Sequence, residues 1–231
     1  MSVPLRETSM NNMLKLSIVA GLLVALPVAA QPAGDWDGLT KVRSPNADAV
    51  YLAPGADFSG YTKVMIDPTE VAFRLNFLRD YNRTARGGQR ITDTEAVEIT
   101  EAVRTGFEEI FAEAWRRAGY EVVTQPGADV LRLRTAVANL YITAPEQMTA
   151  GRVSTYSYDA GQATLVLEAR DSISAALLGR VVDTRLAGDN LPERRTQFSN
   201  RADFEQLVRA WARASARGLE ALKAQSRPAG S

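Results

Sequence analysis

The sequence predicts an α+β domain: a mostly antiparallel sheet of four to six strands with two long helices packed on one face. Three observations carry this reading. A helical stripe opens at a capping box, Thr92-Asp93-Thr94-Glu95, and runs through Ala96, Ile99, Val103, Phe107, Ile110 and Ala114 at spacings of three and four. Leu131-Arg132-Leu133-Arg134-Thr135-Ala136-Val137 alternates apolar and polar, as a strand with one wet face must. A second stripe, Phe204, Leu207, Val208, Trp211, Ser215, Leu219 and Leu222, closes the chain. Strand runs interrupted by two helices point to helices gathered on one side of a sheet.

Composition bounds the chemistry. The 231 residues are 45% apolar and 23% charged, ordinary values for a globular chain of one domain. Basic and acidic residues balance at 27 each, which argues against a nucleic-acid partner held by net charge. There is no cysteine, so no disulfide, thiol nucleophile or zinc–thiolate site is available. There is no histidine either, which removes the Ser-His-Asp triad and imidazole metal ligands. No metal site and no cofactor is implied.

Taken in order, the chain begins with a leader. Lys15 precedes an almost wholly apolar run over residues 16–29, Pro27 breaks it, and Val28-Ala29-Ala30 offers small residues to a signal peptidase. This predicts a signal peptide over residues 1–30, cut after Ala30, with Met13 as an alternative start. The run of about 14 apolar residues is too short for a bilayer that needs about 20. The mature chain is therefore expected to be periplasmic, without a transmembrane segment, and without a lipid anchor because no cysteine follows the leader.

Residues 31–60 read as an extended lead-in, rich in Pro, Gly and Asp, that docks Trp36 and Leu39 on the body. The single α+β domain is expected over residues 61–225. Its first strand is placed at residues 61–66, and Val71-Ala72-Phe73 reads as an extension of the sheet. Residues 79–90 form a polar linker carrying Arg79, Arg83, Arg86, Arg90 and Gly87-Gly88, either a solvated loop or an anion- or partner-binding one. Asn82-Arg83-Thr84 matches an N-glycosylation triplet. After the helix, Gly119 supplies the left-handed C′ position, and Tyr120-Glu121-Val122-Val123 begins a strand.

Residues 144–159 hold Ser154-Thr155-Tyr156-Ser157-Tyr158, a tyrosine cluster that suits stacking or glycan contact and equally suits a β-rich approach to the next strand. Residues 163–170 and 177–185 form a hairpin turned at Asp171-Ser172-Ile173-Ser174. Asp171 and Asp183 are its carboxylates, open to acid–base work or to capping and pairing with Arg170 and Arg185. Residues 187–200 read as a loop bearing Arg194-Arg195, and Asn200 as the cap of the last helix. Arg209, Arg213 and Arg217 form a ridge opposite its apolar stripe, and residues 226–231 should fray.

The element order resembles the sheet-and-helix modules of curli-secretion and penicillin-binding-protein-activating lipoproteins, with Asp171-Ser172-Ile173-Ser174-Ala175-Ala176-Leu177-Leu178 as the shared hairpin phrase. A closer resemblance rests on Trp36-Asp37-Gly38-Leu39, on residues 51–61 (YLAPGADFSGY), on Ala118-Gly119-Tyr120-Glu121-Val122-Val123, on Pro126-Gly127-Ala128-Asp129-Val130-Leu131 and on residues 168–183. Together these are similar to a bacterial family of exported proteins, domain-of-unknown-function family 3313. The resemblance implies an envelope location and the fold class, and it brings no catalytic residue. Its members are often lipoproteins, a pattern from which this sequence departs.

The function expected from all this is a non-enzymatic accessory or adaptor that binds another envelope component, an unidentified protein or glycan, through a sheet edge or arginine-bearing loops. The candidate surface is Arg83, Arg86, Arg90, Tyr156, Tyr158 and Arg195. A small-molecule or glycan binder is the alternative, and a carboxylate-dependent hydrolase using Asp171 and Asp183 the third reading.

Overall fold

In the computed structural model, residues 36–85, 90–142, 155–157, 161–187, 193–195 and 197–226 are described. The leader with Ala30, and Arg86 and Tyr158, lie outside them. The elements in chain order begin β1 (Thr40–Val42), β2 (Ala49–Leu52), β3 (Lys63–Ile66), β4 (Glu70–Phe73), α1 (Phe77–Thr84) and α2 (Asp93–Arg117). They continue with β5 (Glu121–Val123), β6 (Val130–Ile142), β7 (Thr155–Ser157), β8 (Gly161–Asp171), β9 (Leu177–Ala187), β10 (Glu193–Arg195) and α3 (Gln197–Ser226).

The sheet is built around β6, the longest strand at 13 residues. Leu131, Leu133, Thr135 and Val137 are buried on one side, while Arg132, Arg134 and Ala136 alternate to the other, as a pleat of period two requires. Eight strands join in the order β1-β2-β9-β8-β6-β3-β5, and β4 pairs with the second half of β6. β6, β8 and β9 run antiparallel, but β3 and β4 lie parallel to β6, and β5 parallel to β3. The sheet is thus mixed and larger than the expected mostly antiparallel four to six strands. The reason is connectivity: the chain between β4 and β6 passes through two helices, and so long a crossover permits parallel pairing.

The lead-in also does more than dock anchors. β1 and β2 extend the sheet beyond β9, while Leu39 is buried and Trp36 stays half exposed.

Both long helices lie on the apolar side of the sheet. Thr92 caps α2 reciprocally with Glu95, as the capping box predicts, and Gly119 takes φ 94° just beyond its end. The buried face of α2 is Ala96, Phe107, Phe111 and Trp115. The expected stripe is thereby rotated, because the large rings carry the packing and leave Ile110 and Ala114 half-buried at the border with α3. α3 buries Leu207, Val208, Trp211, Ala212, Ala216 and Leu219 and begins at Gln197, three residues before the expected cap.

A third helix, α1, occupies the start of the expected polar linker. Phe77 is its buried anchor, stacked on Phe73 and packed edge-on against Tyr141. Tertiary packing of a few rings holds a helix too short to stand alone. The asparagine of the glycosylation triplet is already engaged: Asn82 donates to the Ile91 carbonyl at 2.7 Å and accepts from its amide at 2.8 Å.

Candidate functional site

Of the predicted surface, the described residues Arg83, Arg90, Tyr156 and Arg195 lie toward one end of the sheet. At that end β6 finishes with Ile142 paired to Gly161, and Gly161 pairs in turn with Ala187. α1 follows the end of β4 there, and carries Arg79 and Arg83 with exposed side chains, both facing Asp80. Arg90 is exposed next to the Asn82 clip. β7 and β10 pair antiparallel, with Tyr156 opposite Arg194 and Arg195 opposite Thr155. Ser157 stands four residues before Gly161, so the chain cannot carry this ribbon more than about 15 Å from the same end. The tyrosine segment and the arginine pair, far apart in sequence, are therefore strand partners.

The structure keeps the two candidate acids apart. Asp183 lies opposite Leu165 on β8, six residues along that strand from Asp171, a separation of about 20 Å. Asp171 caps its own turn, accepting from the Ile173 and Ser174 amides and from Tyr61; the amide and hydroxyl of Ser174 lead in holding its carboxyl below the usual range. Asp183 is buried against the helices, accepting from Trp211 Nε1 at 2.9 Å and Arg185 Nε at 2.6 Å. Paired carboxyl chemistry needs groups within about 10 Å. Among the described residues no group of three acidic side chains converges as a metal site would require.

Arg132 and Arg134 are matched by acids on the opposite side of the sheet. Arg132 Nε donates to both oxygens of Asp67 at 2.9 Å, and Arg134 lies 3.6 Å from Glu70. Beside them Arg180 is 5% exposed. Its Nη2 donates to Glu168 Oε1 at 2.7 Å and to Asp37 Oδ2 at 2.8 Å, and Trp36 covers the guanidinium at 4.1 Å. Glu168 also accepts from Arg170 Nε at 2.9 Å. Burial pushes the Glu168 carboxyl up, but the Arg180 and Arg170 guanidiniums outweigh it and hold it below its ordinary value.

A concavity lies on the outside of the helical layer, between α2 and α3. It is a cleft of about 830 Å³. Ile110 and Ala114 from α2, Ala118 just past its end and Ala216 from α3 are its apolar lining, and Glu109, Glu113, Arg117, Arg209, Arg213, Arg217 and Glu220 its charged walls. The small alanines open it: bulkier side chains there would let the two helices close over the gap. Glu113 is engaged by Arg116 and Arg117, and Arg209 by Glu205. Arg213 and Arg217, one turn apart and exposed, have no ion pair or side-chain hydrogen bond among the described residues.

A family model described as Protein of unknown function (DUF3313) matches residues 29–215. The chain belongs to this family. No curated protein matches it. Among solved structures, this DUF3313 chain is similar to a PelC dodecamer subunit from Paraburkholderia phytofirmans, at 15% identity and TM-score 0.33, over 70% of this chain and 96% of that one. It is similar to protein XCC0632 of family DUF330 from Xanthomonas campestris, at 12% identity and TM-score 0.38, over 75% and 91%. It is also similar to a minor lipoprotein from Acinetobacter baumannii, at 11% identity and TM-score 0.33, over 68% and 94%.

In the DUF3313 chain the cleft offers apolar contact flanked by guanidinium donors, a combination suited to holding an amphipathic segment. Its residues were only half legible. The ridge Arg209, Arg213 and Arg217 stands out at steps of four, but nothing local shows that the Ile110 and Ala114 side of α2 lies beside it.

Proposed function

We propose that this protein is a non-enzymatic accessory of the bacterial periplasm, exported with its leader removed, that holds a segment of another envelope protein in the cleft between α2 and α3. The observation that carries this reading is the pair Arg213 and Arg217, exposed and unpaired among the described residues beside an apolar floor. The segment that fits has an apolar face for Ile110, Ala114 and Ala216, and acidic side chains placed for the two guanidiniums. Charge-assisted hydrogen bonds to carboxylates supply the polar part of such recognition, and burial of the apolar face the rest. The carboxylate-dependent hydrolase reading draws no support from Asp171 and Asp183, which lie about 20 Å apart.

The test is crosslinking in living cells, with photoreactive reporters at Arg213 and Arg217 and, at the far end of the molecule, at Arg83. One recurrent protein captured at the two cleft positions, and lost in an Arg213→Glu/Arg217→Glu background with a reporter at Ala118, is the expected result. Capture of the same protein from Arg83 alone would overturn the assignment of the cleft.

A further inference from the structure

The Ile142 end of the sheet carries a feature the cleft does not use. Leu75 is 85% exposed, the most exposed of the large apolar residues described. It does not sit on a loose loop. The Phe77 amide donates to the Arg74 carbonyl at 2.9 Å, the Arg74 amide to Leu140, and Asn76 takes φ 64°. This is a closed turn with its left-handed position filled by asparagine, a residue that tolerates it. Leu75 is thus held outward at the tip.

Arginines ring that tip. Arg74 is exposed and stacked 4.4 Å over Tyr141, and Arg79 and Arg83 follow on the exposed side of α1 with side chains 68% and 76% exposed. Arg90 lies beyond the Asn82 clip. Of the nearby acids, Asp80 is shared between Arg79 and Arg83, Glu95 is folded back onto Thr92, and Asp93 remains. Leu186 is a second exposed apolar residue at this end, 52% exposed and opposite Gln162 in the β8–β9 register.

A protein partner is the weaker fit, because a protein interface closes over a packed core depleted of charge, and here single leucines stand apart among arginines. A bilayer surface fits it well. One protruding apolar side chain enters the acyl boundary while arginines meet anionic headgroups, and tyrosines such as Tyr81 and Tyr141 suit the interface between them. We propose that the Arg74-Leu75-Asn76 turn and α1 form a docking surface for an anionic phospholipid membrane. No helix among the described residues is long and apolar enough to cross a membrane, so the contact is peripheral. α2 starts at this end, where Ala96 packs with Phe77, and its cleft-lining residues lie about 25 Å further along the helix. Docking therefore leaves the cleft free.

The chain lacks cysteine, so Leu75→Cys gives a single attachment point for an environment-sensitive fluorophore. Ile173→Cys, 67% exposed at the opposite end of the β8–β9 hairpin, serves as the control. With vesicles of phosphatidylcholine containing about a third phosphatidylglycerol, the Leu75 label should shift to the blue and be quenched by nitroxide lipids, and the Ile173 label should not. Flotation with the same vesicles should weaken about fivefold for each arginine removed, hence on the order of 25-fold in Arg79→Ala/Arg83→Ala. These side chains are exposed, and circular dichroism checks that the variants fold. No vesicle binding, equal binding to pure phosphatidylcholine, or unchanged affinity in the double variant would overturn the proposal.

Discussion

Replacing Glu168 by glutamine tests the ion cluster on the helix-free side of the sheet. The change keeps shape and removes one charge from a site where Arg180 is 5% exposed and donates to Glu168 at 2.7 Å and 3.2 Å. Breaking a buried pair from one side costs about 3–5 kcal/mol, most of it the charge left behind. Here Asp37 remains on Arg180 at 2.8 Å and its own side chain is 58% exposed, which places the loss near the lower limit, about 3 kcal/mol. At about 2–4 °C per kcal/mol for a chain of this size, the melting temperature should fall by about 6–12 °C.

Thermal unfolding followed by circular dichroism at pH 7 measures this, with Arg79→Ala as an exposed reference pair worth less than about 1 kcal/mol. A fall under about 2 °C would refute the claim that the cluster behaves as buried. Refilling the site with apolar groups, as Glu168→Leu with Arg180→Met, should recover most of the loss. The pH dependence has a definite sign. Because the folded carboxyl lies below its ordinary value, its contribution is complete above the unfolded glutamate pKa and disappears as the pH falls below about 4. The Glu168→Gln protein should therefore have a flatter acid limb.

Three other outcomes are expected. Gly161→Ala would set a Cβ 2.2 Å from the Tyr141 carbonyl oxygen, so β6 and β8 must part locally; faster amide exchange at Tyr141 and Ile142 would report it, and unchanged exchange would count against the close approach. Asp183→Ala leaves the buried Trp211 indole N–H without its acceptor, costing about 1–3 kcal/mol in a urea titration, whereas Asp183→Asn should recover part of that; equal losses would show that packing and not the hydrogen bond matters. Tyr61 is pushed up to about 12, first by burial and then by its bond to Asp171. Its contribution to stability is thus complete below about pH 10 and is lost as the pH rises from there through about 12, so Tyr61→Phe should flatten the alkaline limb of a stability profile.

What the sequence made legible was local and self-consistent. Thr92 and Glu95 state a helix start in four residues, Gly119 states its end, and the alternation from Leu131 to Val137 can only be a strand. The β8–β9 hairpin was readable because Asp171 and Ser174 supply the turn from their own side chains. α1 was not readable, since Arg79, Asp80, Asn82 and Arg83 look like a loop until Tyr141 and Ile91 are known to meet Phe77 and Asn82. β1 and β2 are three and four residues long, and their strand character comes from pairing with β9, not from their own pattern. Parallel pairing of β3 and β4 with β6 leaves no mark on any of the three segments. The cleft was hidden for the same reason: each helical ridge and the side-by-side placement of the helices were visible, but which of their sides meet was not.

The placement of β2 beside β9 bears on how the molecule is made. Ala49 pairs with Val182 and Leu52 with Gly179, so one of the earliest segments to leave the ribosome waits for one of the last. β3 waits likewise for β6, and among the described residues only the short β1–β2 hairpin can close before β8 and β9 bring the central antiparallel pairs. A sheet whose pairings span so much chain gains little from partial synthesis, and long-range pairing slows folding. The nascent protein should thus keep the long central pairings open and stay threadable for most of its translation, and commit to its full structure only once its final third is released.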